Sequence, residues 1–384
     1  MRITQSNITI STAVAGQHGG GVYSAALMHI AEGNITIFDA KAGNHGGGLC
    51  SWDDMNITQS NVTISTAVAG QDGGAAYSGG LMRIAGGNLT IFDAKAGNDG
   101  GGLCVHGDLT ASIRDLIIHD VRAGAGGGAM YVGGNAVFEK GLHVTNASAR
   151  HGGGLLTRGN LSIIGHTIMD ACEANVVGGI SAGNAMRLNS ASFLHCKAHA
   201  EIFAVVGVAE IDTLRVSGGL GVQGKAGQLQ LQWADCTESP TCSFNTEEAP
   251  ARVEQLACAR GEDNWLEDEL GSHSACTACQ DGYTKISWHA ESKCTRCPVI
   301  PDVQTQCSPT SFSVPAGFMV ASADNLTAWF RCPNPLACPG CVLRASAAPE
   351  QPVQVDGEMC APGYVGNGCT RCSDAYAHSD TSLM

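Results

Sequence analysis

The sequence predicts a mainly β protein, a solenoid of short-stranded coils followed by a disulfide-rich, loop-dominated region. The first observation is the phrase Asn34-Ile35-Thr36-Ile37, which returns at Asn7, Asn61 and Asn88 with a period of 27, each copy followed by a glycine run ending at Gly21, Gly48, Ala75 or Gly102. The second is a near-verbatim duplication of residues 3–50 as 57–104. The third is a break in composition near Trp233: residues 1–232 hold 42 of the 51 glycines and 4 of the 18 cysteines, leaving 14 cysteines to residues 233–384. Two domains follow, 1–232 and 233–384.

Each copy holds three alternating segments. The first follows the glycines, as in Gly48-Leu49-Cys50 and Gly154-Leu155-Leu156. The second follows a Gly-Asn pair in later copies, as in Gly134-Asn135-Ala136-Val137-Phe138 and Gly159-Asn160-Leu161-Ser162-Ile163. The third is the Asn-Ile-Thr-Ile segment, continued by Asp115-Leu116-Ile117-Ile118 and Leu142-His143-Val144. Apolar alternation with β-branched residues specifies strand, and Gly or Asn between such segments supplies corners with positive φ. Several glycines per copy would cost about 1 kcal/mol each inside a helix, which argues against a helical repeat. Three strands and three corners in about 27 residues make one coil of a β-solenoid, and about eight coils rising ~4.8 Å each make a rod. The last rod strand expected is Gln228-Leu229-Gln230-Leu231-Gln232.

These coils resemble right-handed parallel β-helices of the pectin-lyase-like type, and more closely the Gly-Gly-aliphatic repeats of polymorphic outer-membrane proteins. The residues carrying the resemblance are Gly47-Gly48-Leu49, Gly127-Gly128-Ala129-Met130-Tyr131, Gly153-Gly154-Leu155, Val144-Thr145-Asn146 and Phe193. The resemblance covers about residues 1–230 and implies a fold rather than an activity.

Stacking turns positions one period apart into columns at the strand spacing. One column reads Thr12, Asp39, Thr66, Asp93, Asp120, Asn146, with Lys95 and Arg122 two residues beyond its aspartates. Asp93, Asp120 and Arg122 resemble the calcium and Arg/Lys arrangement of polysaccharide lyases, which implies an enzyme reading, a polysaccharide lyase or glycoside hydrolase with calcium bridging an acidic sugar. The competing reading is charge compensation along a solvated face, favoured because catalytic constellations usually interrupt a periodic pattern. A column preceding the glycines reads His18, His45, Asp72, Asp99, Ala125, His151. His18 with His45 is a candidate for a soft divalent metal and Asp72 with Asp99 for calcium, against the alternative that corners favour such residues for turn chemistry. Sequons occur at Asn7, Asn34, Asn56, Asn61, Asn88, Asn146, Asn160 and Asn325. Asn7, Asn34, Asn61 and Asn88 share one column, where glycans at ~5 Å would crowd and an amide ladder competes. Cys50 and Cys104 fall two coils apart, too far to bond, whereas Cys172 and Cys196 fall in adjacent coils and can bond or pack.

In the tail the disulfide candidates are Cys236, Cys242, Cys258, Cys276, Cys279, Cys294, Cys297, Cys307, Cys332, Cys338, Cys341, Cys360, Cys369 and Cys372. The stretch from Cys360 to Cys369 resembles the closing half of an EGF-like module. Cys276-Thr277-Ala278-Cys279 through Gly282-Tyr283, with Cys294-Thr295-Arg296-Cys297, resembles cysteine-rich repeats of ephrin-type and tumour-necrosis-factor-type receptors. The rival is a zinc ribbon through Cys276, Cys279, Cys294 and Cys297. Sequons and cysteine density favour an oxidising compartment and disulfides.

The net charge of -14 sits mostly in the tail, since residues 1–232 carry 16 acids and 13 bases. Such a balance excludes a basic nucleic-acid footprint. No apolar run reaches the ~20 residues of a membrane span. Arg2-Ile3-Thr4-Gln5-Ser6-Asn7 matches the interior stretch ending at Asn61, so the chain is expected to be a fragment of a larger ectodomain. The expected function is non-enzymatic adhesion, recognition or surface architecture outside the cell. A carbohydrate or protein ligand is expected at the surface, and no cofactor unless the calcium or zinc readings hold.

Overall fold

The computed structural model describes residues 1–198, 201–217, 222–238, 242–246, 252–258, 262–266, 273–281, 283–285, 294–297, 307–322, 325–344, 354–356, 359–362, 364–365, 369 and 371–372. It is a parallel β-solenoid of about 8 turns, with no α-helix among the described residues. No helix there is long and apolar enough to cross a membrane.

The 27-residue period is the rung spacing. Asn7 pairs with Asn34, Asn34 with Asn61, Asn61 with Asn88 and Asn88 with Asp115, all in parallel register. The coil later shortens while keeping its inward residues aligned, so that Ile118 pairs with Val144, Val144 with Met169 and Ile211 with Leu231. Alternation turns every second side chain into the bore. Ile37, Ile64, Ile91, Ile118, Val144, Met169 and Phe193 form one fully buried column. Farther along, Phe193 and Phe203 lie tilted with centroids 6.5 Å apart, and Phe203 stacks on Phe244 at 6.2 Å. Their rings occupy the space where Gly179 and Gly224 carry no Cβ.

Each coil carries the three expected strands, such as Leu49–Ser51, Met28–Ala31 and Asn34–Phe38, plus a two-residue strand like Lys41–Ala42. Left-handed residues turn the chain at three places. One corner column is Thr12, Asp39, Thr66, Asp93, Asp120, Asn146, Ala171 and His195, all with φ between 49° and 56°. A second is Gln5, Glu32, Gln59 and Gly86, and the third is the first glycine of each run, Gly19 through Gly152. Asp and Asn tolerate this region better than other side chains, which explains their recurrence at the first corner.

The chain divides into two compact units, Met1–Gln255 with Leu266–Ser274, and Leu256–Trp265 with Ala275–Met384. Parallel pairing continues past residue 232, through Val222–Glu238 to Cys242–Thr246. The second unit is built of antiparallel ladders. Ser311–Val314 pairs with Cys341–Arg344, and that strand pairs with Gln354–Asp356. Its small cores gather Phe312, Val314, Val320 and Leu343 in one cluster, and Met319, Cys332, Ala337, Cys338 and Cys369 in another.

Among the described residues six disulfides are present: Cys236–Cys242, Cys258–Cys276, Cys279–Cys294, Cys297–Cys307, Cys332–Cys338 and Cys360–Cys369. The zinc ligands proposed from spacing are therefore corrected. Cys279 and Cys294 are bonded to each other, Cys276 to Cys258 and Cys297 to Cys307, and a disulfide sulfur has no thiolate to give a metal. Cys341 also departs from expectation, since it is a free thiol packed into the Phe312 cluster, with burial raising its pKa. The side chains of Cys372 and Asn325 lie outside the described residues.

Candidate functional site

The short strand after each glycine run points its middle residue away from the bore, and these residues form a column of Tyr23, Cys50, Tyr77, Cys104, Tyr131 and Leu156. Outward-facing residues of a solenoid are ordinarily exposed, yet Tyr77 is only 2% exposed and Tyr131 8%. They are covered from both sides. The preceding corner supplies His18, His45, Asp72 and Asp99, and the following corner supplies Trp52, His106 and Arg158, with Gly79 and Gly133 between them. The result is a groove with an aromatic and thiol floor.

At one end the groove is closed by rings. His18 stacks on His45 at 5.2 Å and His45 on Tyr77 at 4.6 Å. Trp52 stands edge-on to His18, His45 and Tyr77 at 4.9, 5.6 and 5.8 Å. Beyond them the groove opens into a space of about 580 Å³ lined by Asp72, Asn98, Asp99, His106, Ala125, Tyr131, Gly133 and Arg158. The Arg158 guanidinium lies 5.6 Å over the Tyr131 ring, a cation–π contact.

The floor is uncharged near neutral pH. Burial pushes the Tyr77 phenol and the Cys50 thiol up to about 12, and raises Tyr131 and Cys104 as well. Burial also lowers His45, outweighing the Asp72 carboxylate, whose Oδ2 lies 3.1 Å from its Nδ1 but out of line for a hydrogen bond. Two carboxylates, Asp72 and Asp99, stand on one wall and the Arg158 guanidinium on the other. Asp99 Oδ1 accepts the Gly126 N–H at 2.7 Å, and Asp72 Oδ1 accepts the Asp99 N–H at 3.2 Å. The second oxygen of Asp99 has no hydrogen-bond partner among the described residues.

Burial raises the Asp99 carboxyl above its ordinary 3.8, ahead of the opposing Gly126 hydrogen bond. A folded value above the unfolded one means that ionising Asp99 works against folding. The associated stability is present below the unfolded value and is lost as pH rises through the folded one. Asp99→Asn, which keeps the acceptor and removes the charge, is expected to melt higher than the parent at pH 7 and level with it near pH 3, as calorimetry would show.

The residues singled out as metal or catalytic candidates lie as follows. The rings of His18 and His45 are parallel within 7°, so their in-plane lone pairs do not converge on one ion at ~2.1 Å. Asp72 and Asp99 cap backbone N–H groups of successive coils instead of facing one another as a calcium site. Among the described residues no three His, Cys, Asp or Glu side chains converge for a metal. Asp93 and Asp120 are left-handed corner residues. Asp93 pairs with Lys95 at 3.4 Å, while Asp120 contacts His119 Nδ1 at 3.0 Å and accepts from Asn146 Nδ2 at 2.5 Å. The His119 hydrogen bond, then that of Asn146, holds Asp120 below the usual carboxylate range. Arg122 continues the column after Lys95 and is exposed.

Among the sequons, Asn34 donates to Asn7 Oδ1 at 2.9 Å and Asn61 to Asn34 Oδ1 at 3.0 Å, which is the amide ladder. Asn146 is tied to Asp120, and Asn160 Oδ1 accepts the Ala185 N–H at 3.2 Å. Asn56 and Asn88 are half-buried in strands.

No protein-family model, curated protein or solved structure matches this chain. What the fold and the groove define is therefore a class: a parallel β-solenoid joined to a disulfide-stapled unit, with a polar groove along one strip of the rod.

Proposed function

We propose that this is a secreted or cell-surface recognition protein that holds carbohydrate in the groove between Asp99 and Arg158. The observation that carries the reading is the pairing of the Tyr131 and His106 rings with carboxylates on one wall and a guanidinium on the other. Sugar hydroxyls donate to carboxylates and accept from guanidinium, and the apolar face of a pyranose packs on rings. Six disulfides support an oxidising compartment. The resemblances to pectin-lyase-like coils, EGF-like and receptor-like modules, and the use of exposed sequons such as Asn160 as glycan acceptors, belong to the same reading. Binding of this kind uses side chains alone. The corner carboxylates Asp93 and Asp120 serve turns, which favours recognition over turnover.

Titration of the full chain against arrayed neutral and acidic glycans tests the proposal. Arg158→Ala is expected to weaken a bound glycan about tenfold or more, because a charge-assisted hydrogen bond is removed. Lys41→Ala, at the exposed Asp39 pair, is expected to leave affinity unchanged. Retention of no glycan, or equal loss in both variants, overturns the reading. Release of cleaved sugar would replace it with the lyase or hydrolase reading.

A further inference from the structure

Eight coils place a small residue inward just after the first left-handed corner, in a column of Ala13, Ala40, Ala67, Ala94, Val121, Ala147, Cys172 and Cys196. Six of these positions are aliphatic, and the two cysteines occupy consecutive coils. Their register is fixed from both sides: Asp170 pairs with Leu194, Glu173 with Lys197, and the Lys197 N–H donates to the Cys172 carbonyl at 2.7 Å. Cys172 therefore lies directly opposite Cys196, at a rung spacing of ~4.8 Å that falls inside the Cα range of disulfides. Both are free thiols in the structure and buried, at 0% and 2% exposure, with Cys172 Sγ donating to the Asp170 carbonyl at 3.7 Å and Cys196 Sγ to the Met169 carbonyl at 3.2 Å.

We propose that Cys172 and Cys196 are joined as a disulfide that staples two adjacent coils of the rod. The inference rests on the extracellular reading. Each thiol gives up one proton and one electron, and the pair reduces one disulfide of an oxidising dithiol–disulfide protein by exchange through a mixed disulfide. Because both sulfurs are buried once the coil closes, the bond forms while the coil is still opening and closing during folding. Cys50 and Cys104 supply a built-in contrast. They share a column, but Tyr77 occupies the coil between them, so they cannot bridge.

The test is alkylation of the full chain, secreted from a eukaryotic cell and denatured without reductant, followed by peptide mass spectrometry. The expected result is a linked pair of peptides containing Cys172 and Cys196, with Cys50 and Cys104 both alkylated. Alkylated Cys172 and Cys196 alongside an intact Cys236–Cys242 bond would overturn the staple while leaving the compartment reading in place. If Cys236 and Cys242 are alkylated too, the compartment reading fails, and refolding the reduced chain with oxidised glutathione decides the staple. Linkage of Cys172 to Cys196 there supports it, and its absence overturns it. Cys172→Ala, expected to leave Cys196 fully alkylated, checks the assignment of the linked peptides.

Discussion

Gly101→Ala is expected to destabilise the solenoid by about 3 kcal/mol or more, whereas Gly102→Ala, one residue on, is expected to cost less than about 1 kcal/mol. A Cβ on Gly101 would overlap the Gly128 carbonyl oxygen and come within 2.6 Å of the Arg122 carbonyl, both of them backbone atoms of the next coil. Neither can yield without breaking the rung. The same column reads Gly20, Gly47, Gly74, Gly128, Gly153 and Gly178 in the coils from Gly20 to Gly178. At Gly102 the nearest atoms are the Ala129 carbonyl at 2.8 Å and Ile118 Cγ2 at 3.2 Å. That spacing looks tight, but the neighbouring coils already hold Ala75 and Ala129 in the same column, so the rod tolerates a methyl there. Denaturant melts followed by circular dichroism separate the two variants. Equal midpoints would mean that rung spacing adjusts locally, and the steric account would fail.

The solenoid was legible because a coil converts sequence period into contact. Once Asn34 is placed 27 residues after Asn7, its neighbour across the rung is settled, and the buried ladder of Ile37, Ile64 and Ile91 follows by alternation. The same arithmetic placed Asp93 beside Asp120 but could not give their backbone conformation. Both sit at positive φ, where Asp is favoured for the turn itself, so a column that reads as chemistry is corner geometry. The groove escaped detection for a different reason. Its floor alternates Tyr23, Cys50, Tyr77, Cys104 and Tyr131 with the period of the duplication rather than of the coil, and its far wall is made by Trp52, His106 and Arg158 alternating with glycine. Reading columns two coils at a time would have shown it. Disulfide partners were beyond reach, because 14 cysteines allow very many pairings and each Cys-x-x-Cys cysteine at 276, 279, 294 and 297 bonds outside its own motif.

Reduction is expected to dissolve the second compact unit and leave the solenoid standing. Five of the six disulfides lie in that unit, closing short loops with sequence separations from 6 to 18 residues. Its two apolar clusters are small, and one includes Cys332, Cys338 and Cys369, whose packing depends on the bonds themselves. With about 2–4 kcal/mol typical of each native disulfide, losing them exceeds the whole stability of a small domain. The rod differs in kind. Its continuous column from Ile37 to Phe193 is fully buried, and its rungs are held by backbone hydrogen bonds between neighbouring coils. A Cys172–Cys196 staple would join coils already packed together, so its loss lowers the rod's melting point without removing its fold. Circular dichroism and limited proteolysis with and without reductant and alkylation measure this. The expected outcome is a retained β spectrum and a protected fragment ending between Gln255 and Ser274, with the chain beyond Ser274 degraded. A rod that melts on reduction would overturn this account and show that disulfides such as Cys236–Cys242 are needed to hold its coils.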